Sequence, residues 1–270
     1  MGPYRIRHKT SYLLLVPLCI MAFAGQLHAD SERWGLLKTE FFGEKQILES
    51  DTVITLEAPK RAHDASTVPI VIKAVDGVQN IKQVHLIVDK NPLPLAGIFK
   101  FSEQASNWEW LETRIRINEY TNVRAVAELA DGSLHMSTRF VKAAGGCSAP
   151  AMSDMDAAMA RAGKMKISLD RHGEGSNAEA TIKISHPNNS GMQFDQISRN
   201  YIPAFFVQNI TAQLNDKPLI DVETNFSMSE NPVLRFNFSP PGPTQSAAQM
   251  AVYAVDSKGN RYENSLDLAQ

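Results

Sequence analysis

The chain has 270 residues, with 27 Lys and Arg against 29 Asp and Glu and a formal net charge of −2. This near balance excludes the strongly basic surface that binding to nucleic acid or to an anionic membrane requires. The length is sufficient for two domains of ordinary size, each with its own hydrophobic core.

The first 29 residues predict a secretory signal peptide. Three basic residues precede an apolar run over residues 12–24, and candidate cleavage sites end at Ala24 and Ala29. The apolar run is too short for a comfortable membrane span. We favour cleavage after Ala29, because Asp30 begins a stretch of soluble composition. We therefore expect an exported protein of the periplasm that has no membrane association after cleavage.

Cleavage changes two counts. Removing three basic residues leaves 24 Lys and Arg against 29 Asp and Glu, a net charge of −5. Of the 2 cysteines, Cys19 is lost and Cys147 remains. A lone thiol in an oxidising compartment pairs with another molecule or stays reactive, because it has no internal disulfide partner. The mature chain is therefore not a two-thiol oxidoreductase.

The first half of the chain alternates apolar and polar side chains with a period of two, which is typical of half-buried strands. The dipeptide Asp131-Gly132 predicts a hairpin turn. Arg114 and Arg116 alternate with isoleucines, so we expect both arginines on a solvated strand face. The predicted strands of this half are 53–57, 68–74, 83–88, 97–101, 112–117, 123–129 and 133–141.

A short helix is predicted over residues 153–163, with Ser153 as its cap and Gly163 at its end. It is too short to persist without packing on a domain. The second half then predicts another set of strands, at 165–169, 180–185, 204–214, 219–222, 233–238, 250–255 and 261–268. We therefore expect an all-β fold of two antiparallel β-sandwich domains joined by a short flexible or helical linker.

Cys147 is the candidate functional residue. Gly145 and Gly146 precede it and leave the backbone free to take almost any conformation. Pro150 follows and cannot continue a sheet. Because its neighbours are small, we expect the thiol to point outward on a swinging arm, with Gly145 and Gly146 as the hinge.

A soft-metal site is the alternative for this region. Cys147, Met152, Met155 and Met159 offer sulfur ligands that suit Cu(I). The three methionines also fall on one helical face, and we favour packing of that face on a domain. The histidines show no metal-ligand spacing, and His186 is expected at a strand end. The sequence shows no convergent set of acid, base and nucleophile, so it does not predict an enzyme.

Several segments resemble the SoxY and SoxZ families. In the first half these are residues 54–59, 68–71, 90–94 and 113–116, together with Gly-Gly-Cys at 145–147. In the second half they are residues 184–187, 201–203 and 229–232, with Gly191. The whole chain is similar to a fused SoxY–SoxZ carrier, of the family associated with quinoprotein dehydrogenases in methylotrophs.

The resemblance implies immunoglobulin-like sandwiches whose internal packing replaces a SoxY–SoxZ heterodimer. The domain boundaries are then a signal peptide at 1–29, a SoxY-like domain at 30–146, a linker at 147–164 and a SoxZ-like domain at 165–270. It also implies that Cys147 carries a sulfur compound covalently, as in thiosulfate oxidation, with no other cofactor. Its partners would be periplasmic redox or sulfur-processing enzymes, or a quinoprotein dehydrogenase system. A Cu(I) chaperone and a non-covalent interaction module remain the alternatives.

Overall fold

The computed structural model describes residues 30–268 except 77, 79, 106, 151–153, 172–177 and 239–247. The predicted signal peptide, Met152 and Ser153 therefore lie outside the described residues. The chain divides into two compact units, residues 1–44 and residues 45–270.

The described part of the first unit is a helix, α1, over residues 30–42. Gly43 ends it with a φ of +61° and donates its N–H to Thr39 O at 3.0 Å, as expected for a glycine helix terminator. This helix is not among the predicted elements. No helix in the described residues is long and apolar enough to cross a membrane.

In the second unit, strands β1–β8 come first in the chain. Their bounds, with those of one 3-10 helix, are β1 Ile47–Glu49, β2 Ile54–Glu57, β3 Val68–Ala74, β4 Ile81–Val88, β5 Leu95–Phe101, the 3-10 helix Glu103–Ala105, β6 Trp110–Ile115, β7 Thr121–Leu129 and β8 Leu134–Val141.

The later elements are a short helix and nine more strands. Their bounds are α2 Met155–Arg161, β9 Met165–Arg171, β10 Ala178–Ile184, β11 Phe194–Asp195, β12 Asn200–Tyr201, β13 Val207–Leu214, β14 Lys217–Thr224, β15 Val233–Phe238, β16 Ala248–Asp256 and β17 Arg261–Leu268.

Two large sheets face each other across one core. The nine-stranded sheet has the order β1-β8-β7-β4-β5-β14-β13-β16-β17, and the six-stranded sheet has the order β2-β3-β6-β15-β10-β9. Within these sheets only the β1–β8 pair is parallel among the described strands. The predicted hairpin is confirmed, because β7 pairs with β8 and Gly132 takes a φ of +84° in the turn between them. The all-β prediction is confirmed as well.

The first and second halves of the chain are joined edge to edge in both sheets. Strand β5 pairs with β14, where Phe99 lies opposite Val222. Strand β6 pairs with β15, where Leu111 lies opposite Phe236. All four side chains belong to one continuous hydrophobic cluster. Burial of such side chains contributes roughly 1.5–3 kcal/mol each, so the junction is as firmly packed as the interior of either half.

Helix α2 follows the gap at residues 151–153. Asp154 caps it by accepting a hydrogen bond from Ala157 N at 3.0 Å. Ala158 is the helix residue that is buried, whereas Met159 is 42% exposed. The prediction that the methionine face packs on a domain is therefore wrong for Met159.

Candidate functional site: a docked cysteine arm

The arm is the loop over residues 143–148 that follows β8. Two backbone hydrogen bonds hold it: Gly145 N donates to Asn118 O at 2.9 Å, and Gly146 N donates to Ile117 O at 2.9 Å. Ser148 N donates to Gly145 O at 3.2 Å and closes a turn around the cysteine. The arm is therefore paired with the chain segment that follows β6.

Each of the two glycines is required by this arrangement for a different reason. Gly145 has a φ of +80°, which a residue with a side chain adopts only with strain. A Cβ atom added to Gly146 would lie 2.0 Å from Ala65 O and 2.8 Å from Ile117 O. Both are backbone atoms, so Gly146 allows a close approach of the main chains that no other residue permits.

Cys147 has no exposed surface. Its carbonyl oxygen accepts a hydrogen bond from Ser190 Oγ, and Ser190 N donates to Gln193 Oε1 at 3.0 Å. The cysteine belongs to the first half of the chain, and Ser190 and Gln193 belong to the second. The thiol is therefore enclosed where the two halves meet.

The expectation of an outward-pointing thiol on a swinging arm is wrong for this structure. Gly145 adopts a left-handed conformation and Gly146 makes a close main-chain contact, and both features hold the arm in place. Small neighbours on either side of a cysteine are compatible with mobility and with tight packing. The sequence pattern alone does not distinguish these two uses of glycine.

Arg116 lies at the segment against which the arm docks. Its N–H donates to Ser227 O at 2.7 Å, and its Nε donates to Met228 O at 3.4 Å. The residue is 1% exposed, so the prediction of a solvated strand face is wrong for Arg116, although Arg114 is exposed. The reason is that β6 ends at Ile115, and the alternation of the strand does not continue beyond it.

Asn91 fixes the position of this segment. Its Nδ2 donates to Arg116 O at 2.7 Å and to Ser227 Oγ at 3.2 Å, and its Oδ1 accepts from Asn118 N at 2.9 Å. Asn91 is completely buried. One side chain therefore links the segment that holds the arm to the loop of the second half that covers Arg116.

Burial sets the protonation state of the thiol. It raises the pKa of Cys147 to about 11, although the nearby Arg116 acts in the opposite direction. Burial also lowers the pKa of Arg116, against the raising effects of Cys147, which is charged only as a thiolate at high pH, and of Glu230 and Asp64. At neutral pH the docked cysteine is therefore a neutral thiol, which is a poor nucleophile.

The described members of the soft-metal set differ in exposure. Met159 is 42% exposed, whereas Cys147 is fully buried. Met155 Sδ accepts a hydrogen bond from Asn189 Nδ2 at 3.7 Å, and Met152 lies outside the described residues. Among the described residues, no group of three His, Cys, Asp or Glu side chains is arranged to hold a metal ion.

His186 follows the end of β10, as the sequence predicts, and it is buried. Its Nδ1 accepts a hydrogen bond from Asn188 N at 3.0 Å, and its Nε2 lies 3.8 Å from Asp256 Oδ2. Its ring packs against Phe205, with 4.4 Å between ring centroids. Burial lowers the pKa of His186 to about 4, in spite of the raising effect of Asp256.

We expect His186 to make the protein sensitive to mild acid. The unfolded chain binds a proton at this histidine near pH 6.5, whereas the folded protein does so only near pH 4. Stability is therefore complete above pH 6.5 and falls by up to roughly 3 kcal/mol as the pH drops to 4. Urea unfolding between pH 7.5 and 4.5 measures this slope. His186→Asn should make it shallower, because asparagine can accept the same hydrogen bond and does not titrate. A remaining slope is expected from His85, whose pKa burial also lowers.

The matched control for His186 is His63→Asn, since His63 is exposed. This variant should keep the slope of the wild-type protein. An equally steep slope in His186→Asn would show that another group is responsible. The titration of Asp256 is distinguishable from that of His186, because the pKa of Asp256 is lowered and its carboxylate is protonated only at more acidic pH.

The fold and the site define a class: an all-β protein in which the cysteine arm of one sandwich half docks where that half meets a second. Residues 38–147 match the family model of the sulfur oxidation protein SoxY, and residues 165–267 match that of the sulphur oxidation protein SoxZ. The SoxY match ends at Cys147. The chain therefore belongs to the SoxY and SoxZ families, joined in one polypeptide.

A solved structure with this likeness is that of the sulfur carrier protein SoxY from Chlorobium limicola f thiosulfatophilum. It is 20% identical and has a TM-score of 0.36, and the match covers 42% of the present chain and 94% of that protein. No curated protein sequence matches the chain.

Proposed function

We propose that the protein is a periplasmic sulfur carrier whose cargo is attached covalently to Cys147. The observation that carries the proposal is the position of Cys147, which is the last residue of the SoxY match and lies on an arm that docks where the SoxY and SoxZ halves meet. The membership of both halves in sulfur oxidation families supports the same role. The partners are enzymes that process sulfur compounds, or a quinoprotein dehydrogenase system.

Loading and unloading require the arm to leave its dock. In the docked state the thiol is buried and neutral, so it neither reaches another molecule nor attacks one. Undocking breaks the hydrogen bonds of Gly145 and Gly146 and returns the thiol to water, where its pKa falls towards the ordinary value. The thiolate then attacks a sulfur–sulfur bond and forms a mixed disulfide, while the other sulfur leaves with the electron pair.

The docked state protects the cargo. A sulfur adduct in an oxidising compartment meets other thiols and oxidants, and their access is limited while Cys147 is enclosed. We assign the protein a carrier role and not an enzymatic one, because its two halves match the SoxY and SoxZ families of sulfur oxidation proteins.

The carrier role is tested by intact-mass spectrometry of the protein from its native periplasm, purified without reductant. We expect a discrete adduct on Cys147 in the wild-type protein and none in Cys147→Ala. The mass of the adduct identifies the cargo, and recovery in the periplasmic fraction tests the export of the chain.

Two outcomes contradict the carrier role. A bare thiol in cells supplied with sulfur compounds leaves only a non-covalent interaction module. A bare thiol with copper retained in native-spray spectra, and lost in Cys147→Ala, favours the soft-metal chaperone instead.

A further inference from the structure

The buried guanidinium of Arg116 has few partners. In the described part of the chain, its side chain makes one hydrogen bond, from Nε to Met228 O at 3.4 Å. Arg124, the other arginine that is buried among the described residues, donates from Nε to both carboxylate oxygens of Asp89, at 2.9 and 3.0 Å. A buried cation is costly unless an anion and hydrogen-bond acceptors accompany it. Arg116 therefore lacks the kind of partner that Arg124 has.

The carboxylates that influence Arg116 do not complete its hydrogen bonding. Asp64 and Glu230 act on it electrostatically, but neither forms an ion pair with it within 4.0 Å among the described residues. Asp64 Oδ1 already accepts hydrogen bonds from Ser66 N at 2.8 Å and Ser66 Oγ at 2.7 Å. A neutral Cys147 thiol supplies no negative charge either.

Two further hydrogen-bond donors, on segments that contact Arg116 or the arm, are buried without a partner in the described residues, namely Ser229 Oγ and Gln193 Nε2. Ser229 directly follows Met228, the residue that accepts from Arg116. Gln193 holds Ser190, the residue that donates to the Cys147 carbonyl. Unsatisfied donors of this kind mark a place where an acceptor is expected. For Arg116, whose guanidinium has a single long hydrogen bond, the favoured acceptor is an anion.

We propose that Arg116 is the anion-binding residue of the docked arm, and that it retains a negatively charged group attached through sulfur to Cys147. This inference rests on the proposed carrier function and specifies the charge of the cargo. When the cargo is present, its negative charge is expected to accept hydrogen bonds from the Arg116 guanidinium. When the cargo has been delivered, the arm docks without that interaction and is held less firmly.

The test compares two synthetic adducts of opposite charge on the full chain. Cys147 is loaded with 2-sulfonatoethyl or with 2-(trimethylammonio)ethyl methanethiosulfonate, and complete loading is verified by intact mass. In both reactions the thiolate attacks the divalent sulfur of the reagent, a disulfide forms, and methanesulfinate leaves with the electron pair. No oxidant is needed, and the two products differ chiefly in charge.

The readout is the rate at which neutral dithiothreitol releases each adduct, divided by the rate for the same adduct on the urea-unfolded chain. Because a charge-assisted hydrogen bond stabilises the docked anion, we expect its release to be at least about tenfold slower than that of the cation. Arg116→Gln should abolish this difference, and Arg116→Lys should keep part of it. The control Arg114→Gln, which alters an exposed arginine of the same strand, should retain all of it.

Equal rates of release of the two adducts from the wild-type protein overturn the proposal. This comparison uses the wild-type chain alone, so it does not depend on whether a variant folds. Persistence of the difference in folded Arg116→Gln also overturns it. Failure of the proposed carrier role would be seen in a separate measurement, as a bare Cys147 thiol in the intact mass of the protein from its native periplasm. The synthetic adducts report on Arg116 whichever cargo the cell supplies.

Discussion

Gly146→Ala is expected to release the arm and expose Cys147. The added Cβ would lie 2.0 Å from Ala65 O and 2.8 Å from Ile117 O, and both contacts are with backbone. Neither atom can turn aside as a flexible side chain does, so the arm itself has to leave. The hydrogen bonds from Gly145 N and Gly146 N are lost with it.

The measurement is the rate of alkylation of Cys147 by iodoacetamide at pH 7.5, followed by intact mass. Return of the pKa from about 11 to its usual value near 9.0 increases the thiolate fraction about a hundredfold. The lower basicity reduces the intrinsic nucleophilicity by about tenfold, so a net increase of about tenfold remains. Access to the reagent increases the rate further. We therefore expect alkylation at least about ten times faster than in the wild-type protein.

Gly145→Ala is the matched control. No atom lies within 4 Å of a Cβ at this position, although the φ of +80° imposes strain. That strain costs about 1–2 kcal/mol, which weakens the dock without blocking it sterically. Because this loss raises the undocked fraction by about 5- to 30-fold, alkylation should rise by no more than that factor and stay below the rate of Gly146→Ala, in which the docked arrangement is sterically blocked. If Gly146→Ala reacts no faster than the wild-type protein, the docked arm is not what shields the thiol.

The strands of this protein were largely predictable because they are amphipathic. In β10, Ala178, Ala180, Ile182 and Ile184 are buried and the residues between them are not, which is the pattern that the sequence displays. Helix α1, strand β1 and the β11–β12 pair were not predicted. The three strands have at most three residues each, which is too short for a period of two to be recognised.

The edge-to-edge junction of the two halves had no local signal. Pairing of β5 with β14 joins residues more than 100 positions apart in the chain. An alternating strand indicates which of its faces is buried, but it does not indicate which strand lies at its edge. Packing between the domains was expected from the family resemblance, and the shared sheets are what the structure adds.

For the site, the single cysteine that remains after signal cleavage indicates Cys147, and the two glycines before it indicate a loop. The docked state of that loop depends on Ala65 and Ile117, which are distant in sequence and contribute only backbone atoms. The alternation of β6, extended past Ile115, predicts an exposed Arg116, whereas the strand ends at Ile115 and Arg116 is buried. Nothing in its sequence neighbourhood marks the end of the strand, since Ile117 continues the apolar pattern.

Asn91→Ala is expected to cause the largest loss of stability among these predictions and to loosen the arm at the same time. The change leaves Arg116 O, Asn118 N and Ser227 Oγ without the hydrogen bonds that Asn91 provides. Each buried group left unsatisfied costs about 1–3 kcal/mol, so a loss of about 4 kcal/mol is expected in urea unfolding. The segment that receives the hydrogen bonds of the arm then loses its support, and Cys147 should be alkylated faster.

The control separates loosening of the arm from general instability. Asn237 is also buried and also makes three hydrogen bonds: its Oδ1 accepts from Glu109 N and Trp110 N, and its Nδ2 donates to Glu109 Oε2. Asn237→Ala should therefore destabilise the protein to a similar extent. Its bonds lie at strand β6 and do not involve the arm, so alkylation of Cys147 should increase only as far as global unfolding allows. Equal alkylation of the two variants at equal stability would contradict a specific role for Asn91, whereas faster alkylation in Asn91→Ala connects this side chain to the docking of the arm.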